Sequence, residues 1–191
     1  SGSPGGSLGS FFSTTIDQSL RLDDASGGYL EIAAAPPTAT NLKKTTVSCW
    51  VKRSGLSSEV NTVFWATTNG LMLQFFANNS IYIYDNNISF QAYVQPTSGV
   101  NRLFRDASAW YHLALIIDTT QSTAADRAKF YVNGELQALS AYPAQNQDVT
   151  WHNQSTQRIG NPNDTTDLAG YIAEFISIDG QDVSISDLGE T

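Results

Sequence analysis

Short segments of strand-forming residues, each bounded by turn residues, follow one another along almost the whole of this 191-residue chain. The clearest is FYVNGELQAL at 130–139, where Asn133 and Gly134 separate two runs that alternate apolar and polar side chains. Asn and Gly can both adopt positive φ at low steric cost, as a tight type I′ hairpin turn requires. About a dozen such segments with regularly spaced turns predict an antiparallel β-sandwich.

The predicted strands end where Gly, Asn, Pro or Ser residues cluster. The nearly continuous apolar run at 110–118 predicts a central strand that is covered on both faces. Ser184 and Asp187 resemble a capping box, so one helical turn is expected at 184–188. The other predicted strands are 19–24, 29–33, 45–53, 61–67, 71–77, 81–85, 88–94, 128–139, 157–160 and 170–179.

The fold class that these segments predict is all-β, a two-sheet antiparallel jelly-roll sandwich with at most a short helical turn near the C-terminus. Residues 1–15 begin with the Gly/Ser-rich stretch SGSPGGSLGS, which is typical of a flexible segment. Residues 16–191 are then expected to form one domain, since the chain is short enough for a single core.

Charge and hydropathy exclude two classes of partner. A net charge of −8 and a pI near 4.5 argue against nucleic-acid binding, which requires a basic surface. The sequence has no apolar run approaching the roughly 20 residues that span a bilayer. Charged residues make up 15% of the chain, and Asn, Gln, Ser and Thr carry most of its polarity, as suits an extracellular or virion surface.

Six segments stand in a characteristic order between residues 19 and 188: WVKRSG, NTVFWATTNG, FRDASAWYHLALIIDTT, KFYVNGEL, RIGNPND and AGYIAEFISIDGQ. This order resembles the laminin-G-like, concanavalin-A-like jelly-roll superfamily. A version in bacteriophage and marine viral tail-fibre or virion surface proteins is still more similar. The resemblance implies a non-catalytic virion surface domain, in a tail fibre or a capsid decoration. It also implies a homo-oligomer or multicopy assembly with other virion chains.

Paired carboxylates, which glycosidases on this jelly roll carry as E-x-D-x-x-E along one strand, are missing from the sequence. Glu174, for example, is followed by Phe175 and Ile176. We therefore expect no enzymatic activity. The least favoured alternative is a glycan hydrolase whose carboxylates are brought together by folding.

Two tryptophans lie beside polar residues suited to sugars, because the C–H face of a sugar stacks on an aromatic ring while its hydroxyls need amide partners. Trp65 with Asn69 is one candidate binding pair, and Trp151 with His152 and Asn153 is a second candidate group. Packing in the core or against another subunit is an equally good interpretation of both rings.

Calcium is the one metal that the sequence makes plausible. Asn161, Asn163, Asp164 and Asp167 lie in one loop and offer the oxygen ligands that this ion prefers. The family resemblance places Glu174 where related domains hold a carboxylate near an ion. The alternative is that the loop residues form Asx turns and Glu174 pairs with backbone donors. No cofactor is required in either case.

Taken together, these features predict a domain that binds glycans or host-surface molecules at the virion surface. The alternative is a purely structural virion protein whose aromatic residues and strand edges contact other chains.

Overall fold

The structure is a computed structural model that describes residues 16–23, 27–32, 40–56, 60–66, 69–95, 99–152, 156–160 and 166–188. It contains twelve strands in these ranges: β1 (Leu20–Leu22), β2 (Leu30–Ile32), β3 (Lys44–Arg53), β4 (Asn61–Ala66), β5 (Met72–Phe75), β6 (Ile81–Asp85), β7 (Phe90–Gln95), β8 (Tyr111–Asp118), β9 (Ala128–Val132), β10 (Glu135–Leu139), β11 (Gln157–Ile159) and β12 (Gly170–Asp179).

The strands form two antiparallel sheets. In the first sheet the order is β1-β12-β3-β8-β9-β10, and in the second it is β7-β6-β5-β4-β11-β2. The sheets are joined at one side, where Ala138 and Leu139 of β10 pair with Gln95 and Val94 of β7. The predicted all-β, two-sheet architecture is confirmed.

The hydrophobic core lies between the sheets, because alternate residues of every strand point the same way. Phe64 of β4 meets Phe175 of β12 across it at 6.1 Å between ring centroids. The central strand β8 is buried along seven of its eight residues. A smaller cluster, in which Ile116 packs with Leu188, covers its outward side, as the apolar run at 110–118 predicted.

The hairpin between β9 and β10 has the predicted turn. Asn133 and Gly134 adopt φ values of 49° and 79°. The Asn133 side chain also accepts a hydrogen bond from the backbone N–H of His112 at 2.8 Å, which fixes the hairpin against β8. The turn therefore sets both the register of β9 with β10 and their position beside the central strand.

Three short 3-10 helices are the helical elements of the described residues. The predicted C-terminal turn is Ile185–Leu188, and the Ser184 N–H donates to the Asp187 carboxylate at 3.2 Å, as in a capping box. The other two, Asn86–Ile88 and Ala124–Asp126, were not predicted, and the first delays the start of β7 to Phe90. None of the three is long and apolar enough to cross a membrane. The predicted flexible segment 1–15 lies outside the described residues.

Candidate functional site

Four aromatic rings lie together on the outward face of the second sheet. In β6, Ile81, Ile83 and Asp85 point into the core, so the tyrosines between them point outward and are half-buried. Tyr93 is directly opposite Tyr82 on the neighbouring strand β7. We call this cluster the tyrosine face; its members are Phe76, Tyr82, Tyr84 and Tyr93.

The rings of the tyrosine face hold one another in place. Tyr82 lies 4.7 Å from Tyr93 and 5.7 Å from Tyr84 between ring centroids, with interplanar angles of 41° and 39°. Phe76 meets Tyr82 edge-on at 5.4 Å. A cluster of half-buried rings in mutual contact gives a ligand an apolar surface whose side chains are already ordered.

A row of exposed amides borders the rings. The Tyr82 hydroxyl donates to Gln91 Oε1 at 2.9 Å, and Gln91 Nε2 donates to Asn86 Oδ1 at 2.7 Å. Asn86 Nδ2 in turn donates to Asn69 Oδ1 at 3.4 Å. These bonds orient three amides beside the rings. Each amide keeps donor or acceptor capacity for a ligand, because a primary amide makes up to four hydrogen bonds.

The buried carboxylate of Asp85 positions this row. It accepts a hydrogen bond from the Asn87 N–H at 3.2 Å, which caps the 3-10 helix that carries Asn86. Its other oxygen accepts from the N–H and the hydroxyl of Thr150, at 2.9 and 2.8 Å. Burial raises the pKa of Asp85, while these hydrogen bonds oppose the shift. Asp85 is fully buried and therefore shapes the site without contacting a ligand.

The chemistry available at the tyrosine face is stacking and hydrogen bonding. Asp85 is the only acidic residue between Val60 and Asn101, the stretch that forms β4 to β7. Because that carboxylate is buried, the described residues of these four strands present no exposed carboxylate that could act as an acid, a base or a nucleophile.

The two residues of the first predicted pair, Trp65 and Asn69, lie in different places. Asn69 belongs to the amide row. Trp65 lies on β4, two strands from Tyr84 on β6, and Met72 of the intervening strand β5 pairs with both residues. The half-buried Trp65 ring lies 5.7 Å from the guanidinium of Arg158, which also stacks on Tyr29 at 4.3 Å. Trp65 therefore extends the aromatic surface beyond the tyrosine face.

In the second predicted group, the Trp151 ring is buried rather than exposed for sugar stacking. Trp151 is 2% exposed, its ring packs edge-on against Phe64, and its Nε1 donates to Ser177 Oγ at 2.7 Å. The alternative prediction of core packing describes Trp151, while His152 beside it is half-buried and Asn153 lies outside the described residues. Burial also lowers the pKa of His152.

Trp151 and His152 line an apolar groove instead. It lies between β2 of the second sheet and β12 of the first, and its volume is about 460 Å³. Leu30, Ile32 and Phe175 are among its other apolar lining residues. The exposed fractions of Leu30 and Ile32 are 50% and 57%, so this apolar surface is open to solvent.

The predicted calcium ligands are only partly described. Asn161, Asn163 and Asp164 lie outside the described residues. The Asp167 side chain is nearly buried, and its backbone carbonyl accepts from Asn61 Nδ2 at 3.0 Å. Glu174 is exposed at a bulge of β12 with φ 48°. No group of three acidic, His or Cys side chains gathers in the described part of the chain, and calcium at 161–167 stays a prediction.

Comparison with known families gives the chain its classification. The model of the concanavalin A-like lectin/glucanases superfamily matches residues 24–177. The chain belongs to this superfamily. No curated protein sequence matches it significantly.

Solved structures with this superfamily's fold are similar in architecture and distant in sequence. A Bacteroides ovatus protein to which carbohydrate binding is ascribed is 18% identical, with a TM-score of 0.55 over 78% of this chain and 41% of its own. A heptameric pentraxin from Limulus polyphemus is 12% identical, with a TM-score of 0.54 over 87% and 73%. The receptor-binding domain of botulinum neurotoxin mosaic serotype C/D is 18% identical, with a TM-score of 0.52 over 89% and 40%. The chain thus spans less than half of two of these three proteins.

Proposed function

We propose that this domain binds glycans through the tyrosine face and does not cleave them. The observation that carries the proposal is a patch of four ordered aromatic rings beside a hydrogen-bonded row of amides, without an exposed carboxylate. The rings suit the C–H faces of sugars, and the amides suit their hydroxyls. The carbohydrate binding ascribed to the Bacteroides ovatus protein supports this choice of ligand.

The biological setting that we propose is adhesion at the surface of a virus particle, as a tail-fibre or decoration domain. The resemblance to phage surface proteins supports it, as does the similarity to a receptor-binding toxin domain. A shallow face with a few stacking rings contributes about 4 kcal/mol, a Kd near 1 mM. Useful adhesion then requires many copies, which a homo-oligomeric fibre or a decorated shell supplies through effective concentration.

Replacing one half-buried tyrosine of the tyrosine face tests the proposal. Tyr84→Ala removes a ring at the edge of the cluster, where it contacts Tyr82. Binding in a glycan-array or NMR titration should weaken about fivefold, since a stacking ring contributes on the order of 1 kcal/mol. Tyr171→Ala is the matched control, because Tyr171 is a half-buried tyrosine on the first sheet beside Trp110. Equal binding by both variants would refute the proposed site.

The absence of cleavage is tested separately. Incubation of the protein with any glycan that it binds should release no reducing ends above the level of a buffer control. A release rate that exceeds this control and depends on protein concentration would show a hydrolase. The carboxylates responsible would then lie outside β4 to β7.

A second candidate function, structural packing against another copy of this chain, is favoured by the apolar groove. Leu30 and Ile32 there are at least half exposed, and β2 is an edge strand that pairs only with β11 among the described residues. Open edge strands are surfaces at which chains pair. Sedimentation should then show a concentration-dependent dimer for the wild-type protein and a monomer for the Ile32→Glu variant. A monomer at every concentration would exclude this function.

A further inference from the structure

The tyrosine face lies in a stretch of chain almost without charge. The 42 residues from Val60 to Asn101 contain one charged residue, Asp85, whereas the whole chain contains 28 in 191. That residue is fully buried. The rings and the amides around them therefore present no ionic group to a ligand.

The groups that do border the ligand surface stay neutral across the ordinary pH range. Burial raises the pKa of the Tyr82 and Tyr84 hydroxyls above their usual value near 10, so both keep their protons. The nearest charged side chains on the outward face of this sheet's described strands, Arg158 and Glu31, form a salt bridge with each other on β11 and β2.

An anionic glycan would be disfavoured on this surface for two reasons. A carboxylate or sulfate that leaves water needs a cationic or multiple hydrogen-bonding partner. The protein also carries a net charge of −8, whose field repels anions at long range.

The shape of the face also constrains the ligand. The rings of Tyr84 and Tyr93 are each tilted by about 40° from the ring of Tyr82, so the aromatic surface is twisted rather than flat. A twisted surface fits a single glycan chain, which can follow it, better than the planar surface of a crystalline polysaccharide. Two adjacent tyrosines on one strand offer stacking positions for two successive sugars.

We infer that the ligand is a neutral glycan chain of at least two sugars with mainly equatorial hydroxyls, bound without a metal ion. Equatorial hydroxyls leave C–H groups on the faces of a sugar ring, and these faces are what an aromatic surface stacks against. This inference rests on the proposed function, because it specifies the ligand of the tyrosine face.

The experiment compares neutral glycans with acidic counterparts of the same linkage. Cellotetraose and tetra-N-acetylchitotetraose are titrated beside β-1,4-linked tetraglucuronate, and an array adds further neutral, sialylated and sulfated glycans. We expect affinity for at least one neutral chain to change less than about twofold between 0.02 and 0.5 M NaCl, because salt screens only charge interactions. EDTA should have no effect on it. The acidic counterpart should bind at least about tenfold more weakly.

Two opposite charge changes at one exposed position sharpen the test. Gln91→Glu and Gln91→Lys both break the link from Tyr82 to Asn86 and should weaken binding of a neutral glycan to a similar extent. An anionic ligand would instead bind more tightly to the Lys variant and more weakly to the Glu variant.

The outcomes separate the two proposals. This inference would be overturned if the protein prefers acidic glycans with an affinity that falls as salt rises, or if EDTA abolishes glycan binding. If Tyr84→Ala still weakens binding in that case, the tyrosine face remains the binding site. Binding to no glycan in the array, or binding unaffected by Tyr84→Ala, would overturn the proposed function and this inference with it.

Discussion

The side chain of His112 is buried on the outward face of the central strand. Its Nε2 lies 2.7 Å from Ser48 Oγ, and its ring contacts Trp50 at 5.2 Å between centroids. Burial lowers the pKa of His112 to about 4, from an ordinary value of 6.5. The apolar run at 110–118 predicted a buried strand around His112, but sequence spacing could not identify its partners Ser48 and Trp50 on β3.

We predict that His112 makes the stability of the protein depend on pH between about 6.5 and 4. As the pH falls, His112 gains a proton near pH 6.5 in the unfolded chain and only near pH 4 in the folded protein. The contribution of neutral His112 to the free energy of unfolding is therefore complete above pH 6.5 and is lost between pH 6.5 and 4, by about 3 kcal/mol in all. His112→Gln should flatten the curve of unfolding free energy against pH in chemical denaturation. An unchanged slope would show that His112 titrates normally in the folded state.

At the hairpin, Gly134→Val should destabilise the protein by more than about 1 kcal/mol, because a β-branched residue at φ 79° is strained. Thermal melting measures the loss. Gly55→Val is a control at a glycine whose side-chain position is open and whose φ is not in the left-handed region. A loss at Gly134 no larger than at Gly55 would contradict the type of turn.

At the scale of elements, alternation located the strands well, since each of the predicted segments contains a strand. The same alternation could have indicated the tyrosine face, because in IYIYD the tyrosines lie on one side of the strand and the isoleucines on the other. The sequence left sugar stacking and core packing equally open for Trp151, and the reason is physical. Its burial arises from Phe64 and Ser177, which belong to strands of opposite sheets, and sequence spacing does not specify that contact.

Hydrogen bonds of Thr150 connect the end of β6 to the segment before β11. The Thr150 hydroxyl donates to the Asp85 carboxylate and accepts from the Leu71 N–H at 2.9 Å. Thr150→Val should therefore cost about 2 kcal/mol of unfolding free energy, since two buried hydrogen bonds lose a partner. Thr123→Val is the control, because the Thr123 side chain makes no capping hydrogen bond. Equal stability of the two variants would show that Thr150 does not fasten these segments.

At the scale of the whole molecule, the order of strands in the two sheets was beyond the reach of the sequence pattern. Alternation specifies which side chains share a face of one strand, but it does not say that β11, far along the chain, pairs with β4 and β2. That pairing brings Arg158 between Trp65 and Tyr29 and sets the outward surface of the second sheet. The family resemblance predicted the fold, whereas the position of the binding site within it depends on which strands pair in the folded protein.

The central claim is that the outward face of the second sheet binds a neutral glycan, and NMR mapping tests it most directly. The side-chain amide and aromatic resonances are followed while the neutral tetrasaccharide that binds best is added. We expect concentration-dependent shifts, equal with and without EDTA, at Tyr82, Tyr84, Tyr93, Gln91 and Asn86. Shifts confined to the groove beside His152, or to the 161–167 loop in the presence of calcium, would contradict it.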